Sequence, residues 1–171
     1  WSSDVRSSDL LRDLQFVLDV HLGKLAAYLR MLGFDALYQN RCEDAELVRI
    51  SAGQQRILLT RDRGLLKHSA VSRGYWLRET ASRRQLAEVI GRFDLAGQAR
   101  PFTRCMACNA PLRDVAKDAV AGRVPPRVME AQSRFRDCDG CGRVYWPGTH
   151  YSRMQRWVEE LLRGSAGAGW R

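Results

Sequence analysis

The chain has 171 residues, of which 45% are hydrophobic and 27% charged, and carries a formal net charge of +9. That length and apolar fraction suit one ordinary domain with a small module beside it and argue against a disordered chain. No apolar run is long enough to span a bilayer and no basic-then-apolar leader opens the sequence, so no membrane association is expected and the reading is a soluble cytoplasmic protein. The charge is uneven: residues 1–97 carry 15 basic and 12 acidic side chains, against 13 and 7 over 98–171. Only Lys24, Lys67 and Lys117 are lysines. Arginine's planar fork suits phosphates and base edges, although biased codon usage produces the same excess. The chain opens at Trp1 rather than at methionine, so a preceding segment is expected.

Residues 1–13 are polar and read as a flexible lead. The apolar run Leu14 to Leu18 then predicts a strand that stops at Asp19. Leu22, Leu25, Ala26, Leu29 and Leu32 recur at helical spacing, with Gly33 as the carboxyl cap. Ala36 to Tyr38 reads as a second strand, and Glu43 and Asp44 open a helix bearing Leu47, Val48 and Ile50. Arg56 to Thr60 is a third strand, followed by a short helix that Asp62 can cap. Gly74 to Leu77 is a fourth, and Ser82 starts an amphipathic helix with Leu86, Val89, Ile90 and Phe93. Such alternation predicts an α/β fold, a parallel sheet with helices on both faces, over 14–97. A cysteine-bearing module follows over 98–163. It closes with a helix from His150 to Leu162 that presents Met154, Trp157, Val158, Leu161 and Leu162 on one face. The Gly/Ala-rich residues 164–171 read as a disordered tail.

Cys105-x-x-Cys108 and Cys138-x-x-Cys141 have the paired spacing of two metal knuckles, each followed by a residue able to turn tightly, Asn109 and Gly142. Four thiolates suit tetrahedral zinc, and a small module without a large core gains ~10 to 16 kcal/mol of apparent binding energy from it. A pair of disulfides is the alternative, which a reducing compartment disfavours. A closed four-cysteine site leaves zinc no open position, so this zinc is structural and the chemistry lies elsewhere. Cys42 stands outside the quartet as a free thiol.

In a parallel sheet the carboxyl ends of the strands share one edge, where ligands bind in open α/β folds. Asp19 and Asp62, each at a strand end, and Asp44 at a helix start, with Glu43 beside it, are the acids placed to converge there. Two unit charges ~4 Å apart at an effective dielectric of ~20 repel by roughly 4 kcal/mol, so a converged cluster calls for a cation. Hard oxygen donors favour magnesium or manganese, ions that support phosphodiester hydrolysis. Thr60 is placed to hold a carboxylate or a metal-bound water. Each aspartate also sits where a helix amino cap belongs. His21 and His68 read as solvated or packed side chains.

Phe16-Val-Leu-Asp19, Leu22-Gly-Lys-Leu-Ala-Ala-Tyr-Leu-Arg30-Met-Leu-Gly33-Phe-Asp35, Leu58-Leu-Thr-Arg-Asp62-Arg-Gly-Leu65, the two knuckles, Gly140-Cys-Gly-Arg-Val-Tyr-Trp146 and His150 together resemble the Mut-seven-C (Mut7-C) RNase family. The similarity covers about residues 14–162. It implies a PIN-like nuclease domain with a carboxyl-terminal zinc ribbon, and a magnesium- or manganese-dependent ribonuclease whose acids are Asp19, Asp44 and Asp62. It also implies zinc on Cys105, Cys108, Cys138 and Cys141, and an upstream ubiquitin-like domain as in several bacterial members. RNA is the implied partner, with structured RNA such as tRNA as the expected substrate.

Lys24 and Arg30 on the first helix, and Arg61 and Arg63 around Asp62, are candidates to hold RNA phosphates. Solvated charge or a salt bridge to Asp35 is the other explanation. In the ribbon, Arg104, Arg123, Arg127, Arg134, Arg136 and Arg143 accompany Tyr145, Trp146 and His150, a mixture able to grip phosphates and stack bases. Tyr145 and Trp146 also fit a ribbon core. Two other functions compete. A receiver domain places acids after its first and third strands but carries an adjacent acidic pair after the first, whereas Asp19 is followed by Val20 and His21. A non-catalytic zinc-ribbon adaptor would bind RNA or ribosomes and use its aspartates only as caps.

Overall fold

A computed structural model describes residues 14–167, so the lead expected over 1–13 and residues 168–171 lie outside the described residues. The first half alternates β1 (Gln15–Leu18), α1 (Gly23–Met31), β2 (Asp35–Tyr38), α2 (Asp44–Gln54), β3 (Ile57–Thr60), α3 (Arg63–Leu66), β4 (Gly74–Trp76) and α4 (Ser82–Phe93). The sheet is wholly parallel in the order β2-β1-β3-β4. Its register sets Phe16 opposite Ala36 on one side of β1 and opposite Ile57 on the other.

Because successive side chains of a strand face opposite ways, the unbroken apolar strands feed two cores. Phe16, Leu18, Ile57 and Leu59 join Leu25, Leu29, Leu86 and Ile90 of α1 and α4 on one face. Val17 and Leu58 join Leu47, Val48 and Ile50 of α2, with Leu65 of α3, on the other. Truncating a residue such as Phe16, 0% exposed, costs roughly 3 to 5 kcal/mol.

The second half comprises β5 (Leu112–Val115), α5 (Pro126–Ala131), β6 (Phe135–Cys138), β7 (Val144–Tyr145) and α6 (Thr149–Gly167). β5, β6 and β7 form a small antiparallel sheet over a core of Val120, Val124 and Phe135. The expected boundary near residue 98 is crossed by many contacts. Val158 of α6, 2% exposed, is part of the first core, and Met154, Trp157, Leu161 and Leu162 pack against it. Trp157 meets Tyr28 of α1 edge to face at 4.9 Å. The face read from the sequence is correct, but α6 completes the first core rather than the cysteine module's. The helix also runs past Gly164 to Gly167, where a disordered tail was expected; a single glycine costs a helix only about 1 kcal/mol.

The connecting segment is fastened to the end of α1: the N–H of Arg100 donates to Leu32 O (2.8 Å) and that of Phe102 to Met31 O (2.7 Å). Gly33 has φ +91°, and a Cβ there would collide with the Arg100 carbonyl oxygen. It therefore serves both as helix stop and as seat for this segment.

At the amino-terminal edge of the sheet, Asp35 accepts from Arg56 (2.7 and 3.2 Å), Asn109 (2.7 Å) and Gln15 (3.2 Å). Burial opposes ionisation of Asp35, but these partners outweigh it and hold the carboxyl below its ordinary range. Its contribution to stability is therefore full above the unfolded carboxylate pKa of about 3.9 and is lost as pH falls through the lower folded value. Asp35→Ala, which leaves Arg56 buried without its partner, should cost about 3 to 5 kcal/mol in denaturant unfolding at neutral pH, with the difference from wild type shrinking as pH falls below the unfolded carboxylate pKa of about 3.9.

Candidate functional site

The order β2-β1-β3 places a topological switch point between β1 and β3, the position where open α/β sheets bind ligands outside their carboxyl ends. Asp19 leaves β1 there, its N–H donating to Leu59 O of β3 at 3.1 Å. Thr60, 0% exposed, closes the arrangement: its hydroxyl donates to Asp19 Oδ2 at 2.8 Å and accepts from the Asp62 N–H at 2.9 Å. One buried hydroxyl thus sets the Asp19 carboxylate and the backbone that carries Asp62, as its sequence position suggested.

Asp62 is exposed and caps α3, its Oδ1 accepting from Gly64 N–H at 2.6 Å. Asp44 is exposed as the first residue of α2, whose N-cap is Glu43, and neither Glu43 nor Asp19 makes a side-chain cap bond. Cys42 reports on the surrounding field. Burial raises its thiol pKa first, and then Glu46, Glu43, Asp19 and Asp44 raise it further. Asp19 and Asp44 therefore act on one spot from β1 and α2. Among the described residues, only the cysteine quartet gathers three or more acidic, His or Cys ligand atoms within 4.8 Å of one another. Asp19, Asp44 and Asp62 do not gather their oxygens into such a group.

The predicted basic contacts separate clearly. Lys24 and Arg61 are exposed and line one cleft at this edge, which His21 also lines. Arg63 is exposed but lies over the Trp76 ring, 3.9 Å from its centroid, while the indole N–H donates to Arg61 O. Arg30 is a correction: it is 5% exposed and not available to RNA. Its Nε donates to Ala36 O (2.8 Å) and its Nη1 to Ala107 O (2.9 Å) and Met106 O (3.2 Å). The salt bridge to Asp35 considered for it is made by Arg56 instead. Arg123 is also committed internally, to Asp137 (3.1 and 2.7 Å) and Gly142 O (2.8 Å). Arg104 and Arg136 bond Asn109 O and Asp114 respectively. Arg127, Arg143 and His150 stay exposed.

The four cysteines meet as their spacing predicts. Asn109 and Gly142 both adopt positive φ (+73° and +70°), and their N–H groups donate back to Cys105 O and Cys138 O. The Sγ atoms of Cys105 and Cys141 lie 3.7 Å apart and those of Cys108 and Cys138 3.3 Å. A tetrahedral ion with Zn–S about 2.3 Å spaces its sulfurs by about 3.8 Å, so the donor set and its size fit. A Cβ on Gly140 would lie 3.1 Å from Cys108 Sγ and 2.8 Å from Ala110 Cβ, so the loop passes too close for a side chain. Tyr145 sets its hydroxyl 3.1 Å from Cys105 Sγ. Burial opposes ionisation of Cys105, but Tyr145 and the N–H groups of Cys108 and Ala107 bring its thiol down to about 6. Tyr145 thus belongs to the four-cysteine cluster, and Trp146 is half-buried against the small module's core.

Sequence reasoning missed Arg30 and Asn109 as the joint between knuckle and sheet. Asn109 Oδ1 accepts from Ala36 N–H at 3.0 Å and its amide donates to Asp35. The bonds that join knuckle to sheet span more than 70 residues of the chain, and no local signal marks them. Arg30→Met leaves the carbonyls of Met106 and Ala107 without their donor and removes a cation beside the thiolates. Metal transfer to a chromophoric chelator should then be about 10-fold faster than from wild type, with Tyr145→Phe giving a similar change.

A family model described as the Mut7-C RNAse domain matches residues 14–158, spanning both the switch-point acids and the cysteine quartet. No curated protein and no solved structure matches significantly. With the matching region reaching from β1 into α6, the chain belongs to the Mut7-C RNAse domain family.

Proposed function

We propose that the chain is a metal-dependent ribonuclease in which Asp19, Asp44 and Asp62 hold magnesium or manganese at the carboxyl edge of the sheet. The observation that carries this reading is Thr60, fully buried and bonded to both the Asp19 carboxylate and the Asp62 backbone. A helix cap needs no such device. The donor set fits a hard cation: Asp19 keeps Oδ1 free of protein bonds and Asp62 keeps Oδ2. Magnesium usually keeps several waters, so direct bonds from one or two of these carboxylates, with the rest acting through water, are enough to hold it.

When bound, the ion supplies activation of a water and charge stabilisation at the leaving oxygen. The chain's own part is positional. Thr60 fixes Asp19, Gly64 N–H steadies Asp62, and Lys24 and Arg61 attract backbone phosphates to the edge. Their pull falls steeply with salt. The cysteine quartet holds zinc in a structural role, and Arg127, Arg143 and His150 offer a second, outlying contact with RNA. The substrate class is RNA, with structured RNA such as tRNA as the first candidate, in the cytoplasm, where reducing conditions keep the four thiols available. No helix among the described residues is long and apolar enough to cross a membrane.

The test is cleavage of end-labelled tRNA and unstructured RNA with manganese or magnesium, with calcium as control. Wild type should cut, and Asp19→Asn and Asp62→Asn should lower the rate at least about 100-fold while binding RNA as wild type does. Thr60→Val keeps the buried volume but removes the hydroxyl, and should lower kcat about 10- to 100-fold. Equal RNA binding with no cleavage by any form would replace the nuclease with a binding adaptor.

A further inference from the structure

The peptide that joins Arg61 to Asp62 is bonded at both of its ends. Its N–H donates to the Thr60 hydroxyl at 2.9 Å, and its carbonyl, Arg61 O, accepts from the indole N–H of Trp76 at 3.1 Å. A peptide unit is planar, so bonds to its two opposite sides fix the orientation of the whole unit and with it the entry of the chain into Asp62. Asp62 itself is exposed, and its carboxylate bonds the backbone only two residues on, at Gly64 N–H. Its aim therefore depends on the peptide before it.

Thr60 reaches that peptide from its own strand, whereas Trp76 reaches it from the next. The register of β3 with β4 sets Trp76 opposite Thr60, and Leu77 N–H donates to Thr60 O at 2.9 Å, so the end of β4 runs beside the loop. The end of β4 is itself tied down from α4, where Glu88 accepts from the Tyr75 hydroxyl, Arg78 N–H and Glu79 N–H, each at 3.0 Å. Trp76 is half-buried but belongs to neither core of the sheet, so packing does not explain its place. The Arg63 guanidinium covers the indole 3.9 Å from its centroid, held by the negative face of the ring. Residue 63 thus holds the ring that holds residue 61, with Asp62 between them.

Resting on the nuclease reading above, we propose that Trp76 is a positioning residue for Asp62: with Thr60 it clamps the Arg61–Asp62 peptide, and the clamp sets where Asp62 presents the oxygen that its bond to Gly64 leaves free. Arg63 is the bracket of the indole rather than a phosphate contact.

The test uses the full zinc-loaded chain, Trp76→Phe, which keeps an aromatic ring under Arg63, and Trp76→3-benzothienylalanine, which changes only the indole N–H to sulfur. Exchange of the Asp62 amide proton, followed by NMR without added divalent ion, reads the clamp directly and should quicken at least about 10-fold in both variants. Manganese affinity, read from the EPR signal of the free ion, should fall about 10-fold in both. The urea midpoint of the benzothienyl form and its affinity for RNA in calcium should stay those of wild type. Arg63→Met should quicken the same amide and weaken RNA binding less than about twofold, where a phosphate contact would also lower the salt slope by about one.

If the Asp62 amide exchanges at the wild-type rate in both Trp76 variants, or if both bind manganese as wild type does while Asp62→Asn does not, the proposal is overturned. A loss of manganese affinity that follows a fallen urea midpoint in both makes Trp76 a packing residue and overturns it equally. A lower salt slope for Arg63→Met overturns the role given to Arg63. A faster amide in the Trp76 variants, with manganese bound alike by wild type and Asp62→Asn, leaves the clamp standing and removes the metal reading of Asp62.

Discussion

The two halves of this molecule are joined at the outward edge of one strand. β2 is an edge strand, and Ala36 in it directs its N–H and C=O away from the sheet, where no further strand pairs with them. Both groups are met by side chains: Asn109 from the first knuckle takes the N–H and Arg30 from α1 takes the C=O. The same Arg30 also bonds the carbonyls of Met106 and Ala107 within that knuckle. A buried guanidinium is costly unless its donors are matched, and here its bonds run to both halves, with the cysteine sulfurs nearby offsetting its charge. The knuckle cannot shift without orphaning a buried cation, and the cation cannot leave without orphaning three carbonyls.

This joint makes the two edges of the sheet different in kind. The amino-terminal edge is bonded internally, with Asp35 tying β2 to the start of β3 through Arg56 and to the knuckle through Asn109. The carboxyl edge is held by fewer bonds, chiefly those of Thr60, and keeps exposed acids and cations beside one another. Ion pairing at one edge is paid for in desolvation and returned as rigidity. At the other edge, leaving Asp44, Asp62, Lys24 and Arg61 without ion pairs among the described residues keeps them available to a ligand. The strand order alone is shared by unrelated α/β proteins, and the function follows from which side chains sit at the switch point.

Much of the first half was legible because parallel strands buried on both faces read as unbroken apolar runs and their helices keep a 3.6-residue period. The knuckles were legible because Cys-x-x-Cys spacing is a local signal, and the positive φ at Asn109 and Gly142 followed from it. Charge was the least legible property. Arg30 and Lys24 sit on the same helix, yet one is buried and the other exposed, a difference set by a knuckle more than 70 residues further on. Arg123 likewise reads as a free cation until the fold brings Asp137 and Gly142 to it. The membership of α6 in the first core was equally hidden: its apolar face was plain, but nothing in its own residues says which core it covers.

Seating a cysteine knuckle on an edge strand has a consequence for how the protein fails. Exposed strand edges are templates for pairing with other chains, and proteins commonly blunt them with charge, proline or a covering loop. Here the cover over β2 is a segment whose shape depends on four thiolates being held together. Opening of the quartet would therefore uncover a short strand, Ala36 to Tyr38, whose own sheet is held by two separate cores. An edge strand freed in that way would be a template for pairing with a second chain, so the quartet guards the sheet as well as the module that carries it.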